Sequence, residues 1–229
     1  MPKFLRIAAT TITASILSLV FSAAAQDLPA PLETAVSEAE AQDDRRFSYT
    51  QTFVWRDFPP VVDRYDATTD SWTRISGTTD GWDNPGPKKL RNWTRIESRP
   101  GELLYADYRD SFSGVKLIEE TDQSYIYSFT AGQENNEDLQ GAEENVLTRA
   151  VVDKADQSIK SYLIKATQGF KPNAVSRLDE FVFEQTFERP APGVAPVMTK
   201  VYWKAVGKQV FSKVDEELTI YYSDFDVVE

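Results

Sequence analysis

Leu32, Ala35, Val36 and Ala39 recur at helical spacing within Asp27 to Arg46, and acidic residues occupy many of the positions between them. This spacing predicts an amphipathic helix entered through the prolines of LPAPLE. From Phe47 the period changes to two. Phe47, Tyr49, Gln51, Phe53 and Trp55 fall on one face of an extended segment; Ser48, Thr50, Thr52 and Arg56 fall on the other, with Val54 the exception. The same short period returns in VVDRY, VKLIEE, SYIYSFT, NVLTRAVVD, SIKSYLIKA, DEFVFEQTF, TKVYWKAV and ELTIYYSDF. These segments are rich in Val, Ile, Tyr and Phe and are parted by turn sequences such as DKADQ and PAPGVAP. Short connections favour antiparallel neighbours, because parallel pairs need long crossovers. The body of the chain therefore reads as an antiparallel meander.

Three segments depart from that rhythm. In ELLYADYRDSFSG, Leu104, Tyr108 and Phe112 lie four apart and Gly114 follows as a stop, which predicts a short helix. DNPGPKKLRNWTRIES places Leu90, Trp93 and Ile96 near helical spacing after proline-rich helix-start chemistry, and predicts another. The acidic stretch from Ala131 to Glu144 reads as a long hairpin loop. The tetrapeptide Trp-Thr-Arg-Ile occurs twice, at 72–75 and 93–96. Its flanks assign the first copy to a strand, with Trp72 and Arg74 on one face, and the second to the helix.

At the N-terminus, Lys3 and Arg6 precede an uncharged, mostly apolar run from Ile7 to Phe21, and small residues follow at Ala23 and Ala25. This is the layout of a secretory signal peptide (1–25) cleaved after Ala25. The expectation is an exported, periplasmic chain with one domain over 26–229, since 229 − 25 = 204 residues suffice for one large core. No later segment approaches the ~20 apolar residues of a membrane-spanning helix. Loss of Lys3 and Arg6 moves the net charge from −11 to −11 − 2 = −13, and the remaining basic residues are scattered. Nucleic acid and anionic membrane surfaces are poor partners for such a chain.

The sequence contains neither cysteine nor histidine, which removes Ser-His-Asp and Cys-His nucleophiles, the common zinc sites and disulfide stapling. No EF-hand loop and no glycine-rich phosphate loop is present, so no cofactor is expected. Glu119 with Glu120 and Glu216 with Glu217 are sequence neighbours, which on strands point to opposite faces and cannot flank one glycosidic bond. An enzyme is not expected. Tyr49-Thr-Gln-Thr-Phe53 and Phe183-Glu-Gln-Thr-Phe187 each put a Gln between aromatics on one strand face. Two readings fit: a core-facing strand with its Gln at the sheet rim, or the wall of a cavity in which the amide meets a polar head group. Arg64 reads either as a tether for a helix or ligand head group or as a surface residue of an edge strand. Aromatics make up 12% of the chain, so sugar stacking on an open sheet and simple core filling in an envelope protein are further alternatives.

The order of elements, an N-terminal helix, RRFSYTQTF, strands, an interrupting helical section and a run of antiparallel strands, resembles the LolA-like family of periplasmic lipoprotein carriers. RRFSYTQTF resembles the family's first strand, and YADYRDSFSGVKLIEETDQSYIYSF, VVDKADQSIKSYLI and YYSDF look like a divergent branch of it. The resemblance implies a mainly β, α+β fold: an incomplete antiparallel β-barrel, or half-barrel, with an N-terminal helix and short inserted lid helices. It implies a concave apolar surface that takes up lipid or lipoprotein acyl chains, with an envelope protein as partner. Burying methylenes at ~0.8 kcal/mol each makes such uptake favourable without any catalytic group. On matching positions Tyr49, Gln51, Phe53 and Trp55 would line the wall, and Leu104, Tyr108 and Phe112 a lid helix. Arg64 is the candidate for the family's functional arginine. Alternation extends the wall to Tyr125, Tyr127, Phe129, Phe181, Phe183 and Phe187.

Overall fold

The structure, a computed structural model, describes residues 27–78, 103–130, 145–173, 176–209 and 212–228. The expected signal segment, the second Trp-Thr-Arg-Ile with its expected helix, and the acidic stretch 131–144 lie outside the described residues.

Helix α1 spans Ala30–Glu40, with Pro29 at its N-cap. Proline suits a helix start because its missing N–H would have had no intrahelical acceptor there. The four residues at helical spacing, Leu32, Ala35, Val36 and Ala39, are its buried stripe. The helix is shorter than the segment 27–46 in which it was expected; its last turn runs out at Gln42 to Asp44, and extended backbone begins at Arg46.

The strands are β1 (Arg46–Trp55), β2 (Val61–Asp66), β3 (Ser71–Ser76), β4 (Ser113–Glu120), β5 (Ser124–Thr130), β6 (Val146–Asp153), β7 (Ile159–Ala166), β8 (Phe170–Asn173), β9 (Ser176–Glu188), β10 (Val197–Gln209) and β11 (Ser212–Val228). They form one antiparallel sheet in the order β3-β2-β1-β11-β10-β9-β7-β6-β5-β4, which does not close on itself. Every expected strand is present. Only β8 was missed; it pairs with the start of β9, Phe170 opposite Leu178, on the edge that β7 occupies further along. Pro172 and the brevity of the segment hid its extended period.

Apart from β1 beside β11, each strand on this path pairs with its near neighbours in sequence. Between β3 and β4 the chain passes from one edge of the sheet to the other. The described end of that passage, Leu103–Phe112, includes a 3-10 helix at Ala106–Ser111. Leaving β3, Gly77 adopts φ +84°, and a Cβ there would stand 2.4 Å from the Pro60 carbonyl oxygen. Both facts demand glycine at this exit.

The core lies on one face of the sheet, here called the inner face. A single register row crosses it: Val61, Phe53, Ile220, Val201, Gln185, Tyr162, Ala150, Tyr127. Phe53 and Val61 are each 1% exposed, and Ala150 is fully buried. The 3-10 helix packs onto the far half of this row, and α1 lies against the 3-10 helix and β6. Arg109 fastens α1 to that helix, donating to Glu33 at 2.7 and 2.8 Å and to Glu40 at 2.6 and 2.8 Å. Arg189 holds Glu38 at 2.7 Å from the β9–β10 connection. These pairs are partly exposed and contribute ~0.2–1 kcal/mol each. Burying Leu32 and Val36 contributes ~3–6 kcal/mol together, so apolar packing holds α1 and the ion pairs set its orientation.

Candidate functional site

The inner face has two halves. Over β5, β6, β7 and the end of β9 it is a packed aromatic core. Tyr105 meets Phe187 edge-on at 5.2 Å, Tyr108 lies 5.1 Å from Tyr162, and Phe112 meets Phe129 edge-on at 5.3 Å. Phe129 in turn stacks on Tyr162 at 4.8 Å. Such contacts add ~0.5–1.5 kcal/mol each beyond area burial. Leu104, Phe112, Tyr127, Phe129 and Phe187 are all buried. Of the three residues expected on one helix, Tyr108 alone lies within the 3-10 helix, with Leu104 before it and Phe112 just after it; Tyr108 packs on Tyr162 and Phe187, and Phe112 on Phe129. Tyr125 sits at the margin, half-buried, with the Lys154 ammonium 4.6 Å above its ring. Burial pushes the Tyr105 and Tyr162 phenols well above their usual pKa.

The other half spans β9, β10, β11, β1, β2 and β3. One row carries Trp55, Leu218, Trp203 and Phe183 side by side on four strands. Phe181 meets Trp203 edge-on at 5.2 Å, and Phe58 lies 5.6 Å from Trp55. At the opposite margin Tyr49 is ringed by Tyr65, Trp72, Tyr222 and Phe225 at 5.5 to 6.4 Å. Trp72 reaches this cluster from β3, as the strand reading of the first Trp-Thr-Arg-Ile requires.

A polar row runs between these apolar margins. Arg74, Asp63, Gln51 and Tyr222 are successive cross-strand partners on β3, β2, β1 and β11. Arg74 donates to both carboxylate oxygens of Asp63, through Nε to Oδ1 and through Nη2 to Oδ2, the second at 3.3 Å. The Asp63 side chain is 8% exposed. A carboxylate so far out of water requires this partner, because a lone buried charge costs several kcal/mol. Gln51 is 5% exposed, and its Nε2 donates to the Tyr222 hydroxyl at 3.4 Å. Its Oε1 is buried with no hydrogen-bond partner, alone in this among the described side chains.

Gln185, the second glutamine set between aromatics, is equally buried, at 7%. Its Oε1 accepts the Tyr108 hydroxyl, and its Nε2 lies 3.1 Å from the Met198 sulfur. One glutamine is built into the packed half; the other keeps an unserved carbonyl in the second half.

Arg64 is a correction. It alternates with Asp63 and Tyr65 and lies on the opposite face, where it donates to the Asp224 carbonyl at 2.6 Å and to Asp226. Strand parity forces this, since inward Asp63 and Tyr65 turn the residue between them outward. Arg64 ties β2 to β11 across β1, and the helix tethers are Arg109 and Arg189. The polar partners missed by the sequence reading are Asp63, Arg74 and Tyr222. A charged residue at core parity in VVDRY, between Val61 and Tyr65, was the available signal for Asp63.

Among the described residues no group of three or more Asp or Glu is placed to hold a metal ion. No helix there is long and apolar enough to cross a membrane. Of the neighbouring carboxylates, Glu217 is bound to Arg56 and to the Tyr202 hydroxyl, and Glu120 to Lys154 at 2.6 Å. Comparison with protein-family models, curated proteins and solved structures gives no match to this chain.

Proposed function

We propose that this chain is an exported, periplasmic carrier for a lipid, acyl chain or other apolar cargo, built as a half-barrel of LolA-like type. The cargo would lie against the inner face between Trp55 and Trp203 on one side and Gln51 on the other. One observation carries the reading: a 95%-buried glutamine whose carbonyl has no partner, set in an apolar and aromatic face. Leaving such an acceptor unserved costs ~1–3 kcal/mol, a cost that a bound ligand would offset. The absence of His and Cys and the engagement of Glu120 and Glu217 in ion pairs support transport over catalysis. Aromatic residues are turned largely inward; on the outer face Tyr221, at 47% exposure, is the one large exposed ring among the described residues. This disfavours an open sugar-stacking platform, which needs several.

Native mass spectrometry of the purified protein, with lipid extraction, tests the proposal. The expected result is co-purified acyl lipid, and uptake of N-phenyl-1-naphthylamine by the delipidated protein that acyl compounds reverse. Protein that is empty as purified and takes up no apolar dye would overturn it.

A further inference from the structure

We propose that Gln51 is the head-group contact of this face and that it selects an acyl cargo with an uncharged hydroxyl head, as in a monoacylglycerol, over one with a carboxylate. This rests on the carrier reading and specifies what the carrier discriminates.

The chemistry follows from what the polar row has left to offer. Gln51 Nε2 is directed at Tyr222, so the free end of the amide is its carbonyl oxygen, which can only accept. Directly opposite stands Asp63, a second acceptor group whose charge is balanced by Arg74. A hydroxyl entering here donates to Oε1. A carboxylate head would meet the Gln51 carbonyl and the Asp63 carboxylate, oxygen against oxygen, with no proton to share. Among the described residues the cation of this row, Arg74, is held by Asp63 through two nitrogens, and Arg64 is on the other face. An ammonium head would be desolvated beside the Arg74 guanidinium, which the neutral ion pair does not repay. The net negative charge, −11 for the full chain and −11 − 2 = −13 without Lys3 and Arg6, opposes an anionic cargo at longer range as well. The apolar neighbours of that contact are Tyr49 with Trp72 on one side and Phe53 with Ile220 on the other, and the acyl chain would pack among them.

The test is displacement of N-phenyl-1-naphthylamine from the delipidated protein by 1-monooleoylglycerol and by oleate at pH 8, each below its aggregation concentration. It compares wild type with Gln51→Met, and with Gln51→Leu in case the methionine variant folds poorly. The expected result is a loss of about 10-fold in monooleoylglycerol affinity on substitution, as for one hydrogen bond, with oleate changed less than about 2-fold. Equal losses for both lipids, or none for either, would overturn the selectivity and assign Gln51 a structural role. Failure of both lipids to displace the dye from wild type would instead overturn the carrier reading beneath it.

Discussion

Gln51→Met and Gln185→Met should change stability in opposite directions, although both residues sit between aromatics on buried strand faces. Methionine has nearly the volume of glutamine and opens no cavity, so only the polar balance changes. At position 51 the substitution removes an unserved carbonyl, worth ~1–3 kcal/mol, and gives up one long hydrogen bond, 3.4 Å to the Tyr222 hydroxyl, worth ~0.5 kcal/mol. The cargo-free protein should gain about 1 kcal/mol. At position 185 methionine takes away the acceptor of the Tyr108 hydroxyl inside the packed half and the amide contact to Met198, so the expected loss is ~1–2 kcal/mol. For a chain of this size 1 kcal/mol corresponds to about 2–4 °C in Tm. Urea unfolding of delipidated protein, followed by tryptophan fluorescence, reads both changes at once. If both variants are destabilised to a similar degree, the Gln51 carbonyl is served in the cargo-free protein, and its availability to a ligand is refuted.

Further outcomes follow from α1 and from the buried phenols. Arg109→Met should cost ~1–2 kcal/mol and Leu32→Ala ~2–5 kcal/mol, because the first loses half-exposed ion pairs and the second a fully buried side chain; equal costs in urea titrations would contradict apolar anchoring of α1. Hydrogen bonds from Arg109, and then from Ser37, hold the Glu33 carboxyl below its usual pKa. Its contribution is thus present above pH ~4.5 and lost as pH falls through the lowered folded value, and Arg109→Met should flatten that acid limb. At the other extreme, burial raises Tyr105 and Tyr162, which contribute stability in full below their ordinary value near ~10 and lose it as pH rises toward the folded one. Tyrosinate absorbance at 295 nm should therefore show these two ionising only as the protein unfolds, and Tyr162→Phe should extend the stable range upward.

Much of the sheet was legible because its strands alternate cleanly and their turns carry Asp, Gly and Pro. Phe47 to Trp55 announced its inward face residue by residue. What alternation cannot supply is which strand lies beside which. β1 pairs with β11 across the whole length of the chain, and this pairing brings Gln51 to Tyr222. Nor does parity say what fills the space above a face. Tyr127 and Phe53 have the same pattern and lie in the same row, yet the 3-10 helix packs over the half that holds Tyr127. The Gln-between-aromatics pattern was visible twice, but the two copies differ in their hydrogen-bond partners, which come from Tyr108 and Tyr222, more than 70 residues distant in either case. For Arg64 the sequence allows a tether or a surface position, and the inward parity of Asp63 and Tyr65 turns it to the outer face.

The pairing of β1 with β11 also bears on the order in which the molecule assembles. Strands β4 to β11 can pair through connections of at most 15 residues, but Arg46 meets Val228 only after a loop of some 180 residues has closed. Closure entropy and the slowness of non-local pairing put that seam late in folding. Gln51, Asp63 and Arg74 all belong to the three strands on the far side of the seam, and Tyr222 to the strand that receives them. A nascent chain would therefore have its aromatic core in place while the polar row is still in two pieces, and cargo could engage that row only when the last pair of strands has docked.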